Sequence, residues 1–274
     1  GTATVSSGTW ANSGDLVVGN VGDGTLNVTG GSVSNSHGYL GYSEYGVGTA
    51  TVSSGTWANG ILTVGEHGTG TLNVTGGRVT NSYGYLGAYE NSVGTITVSS
   101  GTWASTDNIV VGEGGTGSLS VMGGSVTNRD AFVGYNPSGI GSATVSSGTW
   151  ASSGNLVVGL GSSGTGTLTM SGGLVSVGGT LSRGTHGTIN LNAGGTLQIG
   201  TGGTTGVLDT DLTNNGTLVF NRSNASTYSH NLSGSGSLTK AGSGTLTLSG
   251  SNTYSGGTTL SAGSLVGTTS SLQG

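Results

Sequence analysis

The 274-residue sequence has no cysteine and a single proline, and only 5% of it is charged. Without cysteine neither disulfides nor thiolate metal sites can form, which excludes a small disulfide-stapled scaffold. An average domain carries about 25% charged residues, so ion-pair networks cannot be what holds this chain together. Its only cations are Arg78, Arg129, Arg183, Arg222 and Lys240, scattered singly against a net charge of −5. No basic patch is available to neutralise a phosphate backbone, and nucleic acid is not an expected partner. No apolar run reaches the roughly 18 residues of a membrane-spanning helix, and residues 1–30 lack the basic and apolar segments of a signal peptide. The chain starts and stops inside repeat-like text, as a piece of a longer protein would.

Glycine is what the chain has in excess, at 61 residues. Such a content without a period would describe a disordered, low-complexity chain. Here the glycines return at fixed offsets. The phrase Val5-Ser6-Ser7-Gly8-Thr9-Trp10 recurs ending at Trp57, Trp103 and Trp150, at spacings of 47, 46 and 47 residues. Each interval divides again, because Thr25-Leu26-Asn27-Val28 echoes Thr2-Ala3-Thr4-Val5 after 23 residues. The unit is a half-repeat of 22 to 25 residues, and eight of them open at Thr2, Thr25, Thr49, Thr71, Thr95, Ser118, Ser142 and Thr167.

Each unit holds three short strand signals and no helical periodicity. In the first these are Thr2 to Ser6, Thr9 to Ala11 and Leu16 to Val18, with Gly8, Asn12-Ser13-Gly14 and Gly19 to Gly24 at the corners. A unit offers no second segment for local antiparallel pairing, so its strands must pair with the units before and after it. The pattern predicts an all-β fold, a right-handed single-stranded parallel β-helix with three short strands per coil and about 11 to 13 coils. Residues 1–178 form eight regular coils; 179–274 continue the β-helix less regularly.

Alternation assigns the faces. On the first strand Ala3 and Val5, Leu26 and Val28, Ala50 and Val52, Leu72 and Val74 turn inward. The second strand contributes a core ladder of alternating size, Trp10, Val33, Trp57, Val79, Trp103, Val126, Trp150 and Val175. Two residues on, the corner reads Asn12, Asn35, Asn59, Asn81, Ser105, Asn128 and Ser152, a ladder expected to pass hydrogen bonds from coil to coil. The third strand ends in inward Val18, Leu40, Val64, Leu86, Val111, Val133 and Val158, each followed by glycine.

Three surface features bear on function. The outward position of the third strand reads Val17, Tyr39, Thr63, Tyr85, Val110, Phe132 and Val157, a solvent-facing apolar stripe suited to self-association or carbohydrate stacking. The following loops place Glu44, Glu66, Glu90 and Glu113 on one edge; a solvated edge is the expectation, a hard-cation site the alternative. The first-strand face offers two hydroxyl-rich ranks, headed by Thr2 and Thr4, of the kind an ice-binding solenoid displays.

Signals for catalysis are weak. Gly159-Leu160-Gly161-Ser162-Ser163-Gly164 matches a dinucleotide fingerprint, but the text after it opens a strand rather than the required helix. Asp209 and Asp211 share one side of a strand, with Leu208, Thr210 and Leu212 inward, and no His or Arg stands near them in sequence. His37, His67, His186 and His230 occupy unrelated offsets, and no nucleophile elbow occurs. No catalytic, cofactor or metal site is expected.

The segment Gly236-Ser237-Leu238-Thr239-Lys240, Gly244-Thr245-Leu246-Thr247-Leu248, Asn252-Thr253-Tyr254 and Gly256-Gly257-Thr258-Thr259-Leu260, closing with Ala262-Gly263-Ser264-Leu265, resembles the passenger-associated transport repeat of bacterial autotransporters. The resemblance covers about thirty residues, and the upstream coils look like passenger repeats as well. It implies a right-handed β-helical passenger exported across a Gram-negative outer membrane and displayed or released as an adhesin. Its partners would be another copy of itself, or a host or cell-surface protein or glycan. Anchoring would come only through a C-terminal translocator barrel, which this sequence does not include. The alternatives are a structural stalk that presents another module, an ice-binding solenoid, and a polysaccharide-acting β-helix enzyme.

Overall fold

A computed structural model describes residues 1–267, and among these every regular element is a strand. Strands pair in parallel with the strand one coil away: Thr2 with Thr25, Thr25 with Thr49, Thr49 with Thr71. The result is an all-β parallel solenoid of about 12 turns, in agreement with the right-handed β-helix expected from the sequence. At about 4.8 Å per coil it is a rod roughly 55 Å long. After the eighth coil the circuits become uneven: Leu181 pairs with Leu208 after 27 residues, and Leu218 with Leu238 after only 20.

The inner positions fuse into one continuous core running from Leu16 to Tyr254. Trp57, Trp103 and Trp150 are fully buried, each in register with valines of the coils on either side. Trp10, expected in the same ladder, is 38% exposed. Among the described residues it is in register only with Val33 of the following coil.

A second alternation explains how the indoles fit. The first inward position of the third strand reads Leu16, Gly38, Leu62, Gly84, Ile109, Ala131 and Leu156 in register. Tryptophan coils therefore carry a large aliphatic there, and valine coils carry glycine or alanine. A Cβ added to Gly84 would lie 2.6 Å from Cζ2 of Trp103, and one added to Gly38 would lie 3.0 Å from Cζ2 of Trp57. The indoles of Trp57 and Trp103 thus lean out of their own coils into space that the preceding glycine leaves open.

The same lean satisfies the indole N–H. Nε1 of Trp57 donates to Asn35 Oδ1 at 2.8 Å, Trp103 to Asn81 at 2.6 Å, and Trp150 to Asn128 at 2.8 Å. Each of these asparagines then donates forward, Asn35 to Asn59 Oδ1 at 2.8 Å, Asn81 to Ser105 Oγ at 2.9 Å, and Asn128 to Ser152 Oγ at 3.0 Å. The continuous corner ladder expected from the sequence is therefore broken into two-coil clamps. Asn59 continues only weakly, to the Thr80 carbonyl at 3.5 Å. Asn12 closes its own turn, donating to Asp15 O and accepting from Gly14 N. The interruption follows from tryptophan recurring in every second coil.

Between the third strand and the next coil the chain makes an excursion whose two ends meet at glycines. At Gly65 φ is +73°, and a Cβ there would lie 2.3 Å from Val93 O. Its counterpart Gly70 would place a Cβ 2.3 Å from Gly65 N. The same paired necks occur at Gly41 with Gly48, Gly87 with Gly94, and Gly112 with Gly117. The enclosed loops alternate in length: 42–47, 66–69, 88–93, 113–116 and 135–140.

The last coils are built differently. Tyr228 buries its ring and donates to the carbonyls of Thr210 and Asn231, both at 3.0 Å. Lys240 occupies an inward position in register with Phe220 and Leu260 and is 1% exposed. Its ammonium donates to the carbonyls of Gly242 and Ala262. Burial lowers the Lys240 pKa.

Trp103→Phe keeps most of the ring but leaves Asn81 Oδ1 without its indole donor, an expected cost of ~1–3 kcal/mol in denaturant unfolding. Trp103→Ala adds a cavity and should cost about 3–5 kcal/mol. Equal stability of Trp103→Phe and the parent would refute the clamp. A lysine held below its ordinary pKa destabilises while charged, so stability should rise as pH climbs through the lowered value. That alkaline gain in thermal midpoint should vanish in Lys240→Met.

Candidate functional site

The outward positions of the third strand line up in register, Val17, Tyr39, Thr63, Tyr85, Val110, Phe132 and Val157. The stripe is solvent-facing at Val17 and half-exposed at Tyr39, Tyr85, Phe132 and Val157. Thr63 and Val110 depart from the expectation, being only 3% and 4% exposed. They are the short members between rings one coil above and below. The stripe is therefore a row of rings at two-coil intervals rather than an even apolar strip.

The loops add further aromatic groups. Tyr42 packs edge-on against Tyr39, and Tyr135 against Phe132, each at 5.0 Å between ring centroids. His37 stacks on Tyr39 at 6.1 Å, and His67 stacks on Tyr89 at 4.4 Å. The long loops of the second and fourth coils stand on either side of the short loop between them and leave a notch of about 530 Å³. It is lined by Tyr42, Ser43, Glu44, His67, Glu90 and Asn91. Asn91 adopts φ of +66°, which turns the long loop back at its tip.

The four glutamates of this edge fall into two classes. Glu44 and Glu90 sit exposed on the long loops at the notch, while Glu66 and Glu113 begin the short loops and are half-buried. Burial raises the pKa of Glu66, offset in part by His67, a hydrogen bond with the Thr63 side chain, and His37. Burial also raises the pKa of Glu113, and the charge of Glu66 adds to it. Tyr39 and Tyr85 are raised by burial and then by the neighbouring carboxylates Glu66 and Glu113 respectively. Among the described residues no lysine or arginine pairs with any of the four glutamates; Arg129 is taken by Asp107 at 2.7 Å and Asp130 at 2.9 Å. Nor, among them, do three His, Asp or Glu side chains converge on a point where a metal ion could sit.

The hydroxyl ranks are in register over nine coils, from Thr2 through Thr25, Thr49, Thr71, Thr95, Ser118, Ser142 and Thr167 to Thr188. The segment after Gly164 is the strand Thr165–Met170, so the fingerprint-like glycines open no helix.

At the aspartate pair Leu208, Thr210 and Leu212 are buried and both carboxylates are exposed, as alternation requires. No histidine or arginine stands near them in sequence, but the fold brings one of each to the pair. His230 Nε2 lies 3.0 Å from Asp209 Oδ1, and its Nδ1 is 3.8 Å from Asp211 Oδ1. Arg183 Nε donates to Thr210 Oγ1 at 2.8 Å and shares with Asp211 a polar groove of about 270 Å³. His230 follows Asp209 by 21 residues, one coil, and that spacing is the signal that would have found it. The pair His37 and Asp15, 22 residues and 3.0 Å apart, repeats the device. These contacts stitch adjacent coils together.

Because a carboxyl held above its ordinary pKa is destabilising while ionised, Glu66 and Glu113 should stabilise the fold as pH falls from neutral into the ordinary glutamate range. Glu113→Gln should raise the thermal midpoint at neutral pH and shrink the gain on acidification. A midpoint below that of the parent at neutral pH would contradict the assignment.

The family model for the passenger-associated-transport-repeat matches residues 238–266, which span the buried Lys240 and Tyr254 and the last two paired strands of the rod. Neither a curated protein nor a solved structure matches the chain. The match to a passenger-associated transport repeat and the parallel β-solenoid together fit the β-helix of an autotransporter passenger.

Proposed function

We propose that the chain is a non-catalytic autotransporter passenger, displayed on or released from a Gram-negative cell, that mediates adhesion or cell-cell aggregation along a rigid rod. The observation that carries this reading is the row of half-exposed rings, Tyr39, Tyr85 and Phe132, held in register on one face. A ring presented by a β-helix is fixed by the ladder beneath it, so little side-chain freedom is lost on contact. Each contact is weak, and display of many rods on one cell multiplies them.

Cells displaying the chain through a fused translocator should settle more slowly when Tyr39, Tyr85 and Phe132 are replaced together by serine, with equal surface levels. Unchanged settling would remove the stripe from the adhesive role.

A further inference from the structure

The rings and the half-buried carboxylates share one period. Tyr39, Tyr85 and Phe132 occupy the second, fourth and sixth coils, and Glu66 and Glu113 begin the loops of the third and fifth. Along the rod the edge therefore alternates ring, carboxylate, ring, carboxylate, ring. Like elements repeat every two coils, about 9.6 Å apart. A polyproline II segment brings every third residue to the same face after about 9.3 Å. The two periods agree closely enough for the two steps between the three rings to stay in phase.

Charge decides what such a segment must carry. Glu66 and Glu113 have been drawn partly out of water with no lysine or arginine beside them, and Glu44 and Glu90 add two more acids at the notch. A guanidinium set between a tyrosine face and a carboxylate gains a cation–π contact and a charge-assisted hydrogen bond together. A neutral glycan would leave those carboxylates without a counter-charge. We propose that this edge binds an extended, proline-framed peptide segment of a partner protein bearing arginine or lysine at every third position. Its cations would seat between the rings of Tyr39, Tyr85 and Phe132 and the carboxylates of Glu66 and Glu113, and the notch beside His67 and Tyr89 would take a further one. The proposal rests on the adhesive reading only in taking this face as the working one.

Fluorescence anisotropy of the whole chain with a labelled Pro-Pro-Arg repeat peptide tests this at physiological salt. The comparison peptides hold the same residues with the arginines adjacent, or glutamate in place of arginine. The spaced peptide should bind at least about five-fold tighter than the clustered one, and Glu66→Gln with Glu113→Gln should weaken it about ten-fold. Tyr39→Ser with Tyr85→Ser should weaken it comparably, with circular dichroism unchanged in both variants. Absence of binding, equal binding of spaced and clustered peptides, or full binding by the glutamine variant would each overturn the proposal. So would a preference for phosphatidylcholine vesicles over the peptide, since the cation would then belong to a lipid headgroup. Loss of cell settling in the triple serine variant without peptide binding would leave adhesion standing and remove this partner.

Discussion

Every coil here can satisfy its backbone only through the coils next to it, and that constraint decides the rest. A strand of four to six residues with no hairpin partner is unstable alone, so register between successive circuits must be fixed by side chains. The indole-to-asparagine contact does this across each coil pair. Trp103 reaches back to Asn81, and Asn81 reaches forward to Ser105, so two circuits share one hydrogen-bonded corner. A one-residue slip would separate the indole from its acceptor and turn the core residues outward. The period of 46 to 47 residues in the sequence is thus the footprint of a two-coil unit in the structure.

The two-coil period also shapes the surface. Loops that alternate between four and six residues carry their side chains at alternating heights, which is why Glu66 and Glu113 are half-buried while Glu44 and Glu90 are exposed. Rings stand on alternate coils, with buried Thr63 and Val110 between them, and so present themselves at doubled spacing. Pattern in the core and pattern on this edge therefore have one origin, the alternation of a large and a small circuit.

Much of this was legible in the sequence, because periodicity reports which residues stack. The Trp and Val ladder, the inward valines before each glycine and the approximate coil count all follow from offsets alone. What escaped was contact between columns rather than within them. Trp57 and Asn35 belong to different columns of different coils, and only the lean of the indole over Gly38 joins them. His230 meets Asp209 one circuit on, a contact that the lengths of these irregular circuits hid. Lys240 was missed for another: in a charge-poor chain a lone lysine looks like a surface residue, whereas carbonyls of the last coils enclose it.

The paired glycine necks have a consequence for how such a chain can change. With Gly65 and Gly70 in contact, or Gly41 and Gly48, the rod below is closed off from whatever the loop above contains. Extra residues added beyond the neck neither lengthen the circuit nor shift its register, and the cost of a longer closed loop grows only slowly with its length. New recognition segments can be grafted there while the scaffold beneath keeps its pitch, so diversification and folding are uncoupled on this side of the molecule.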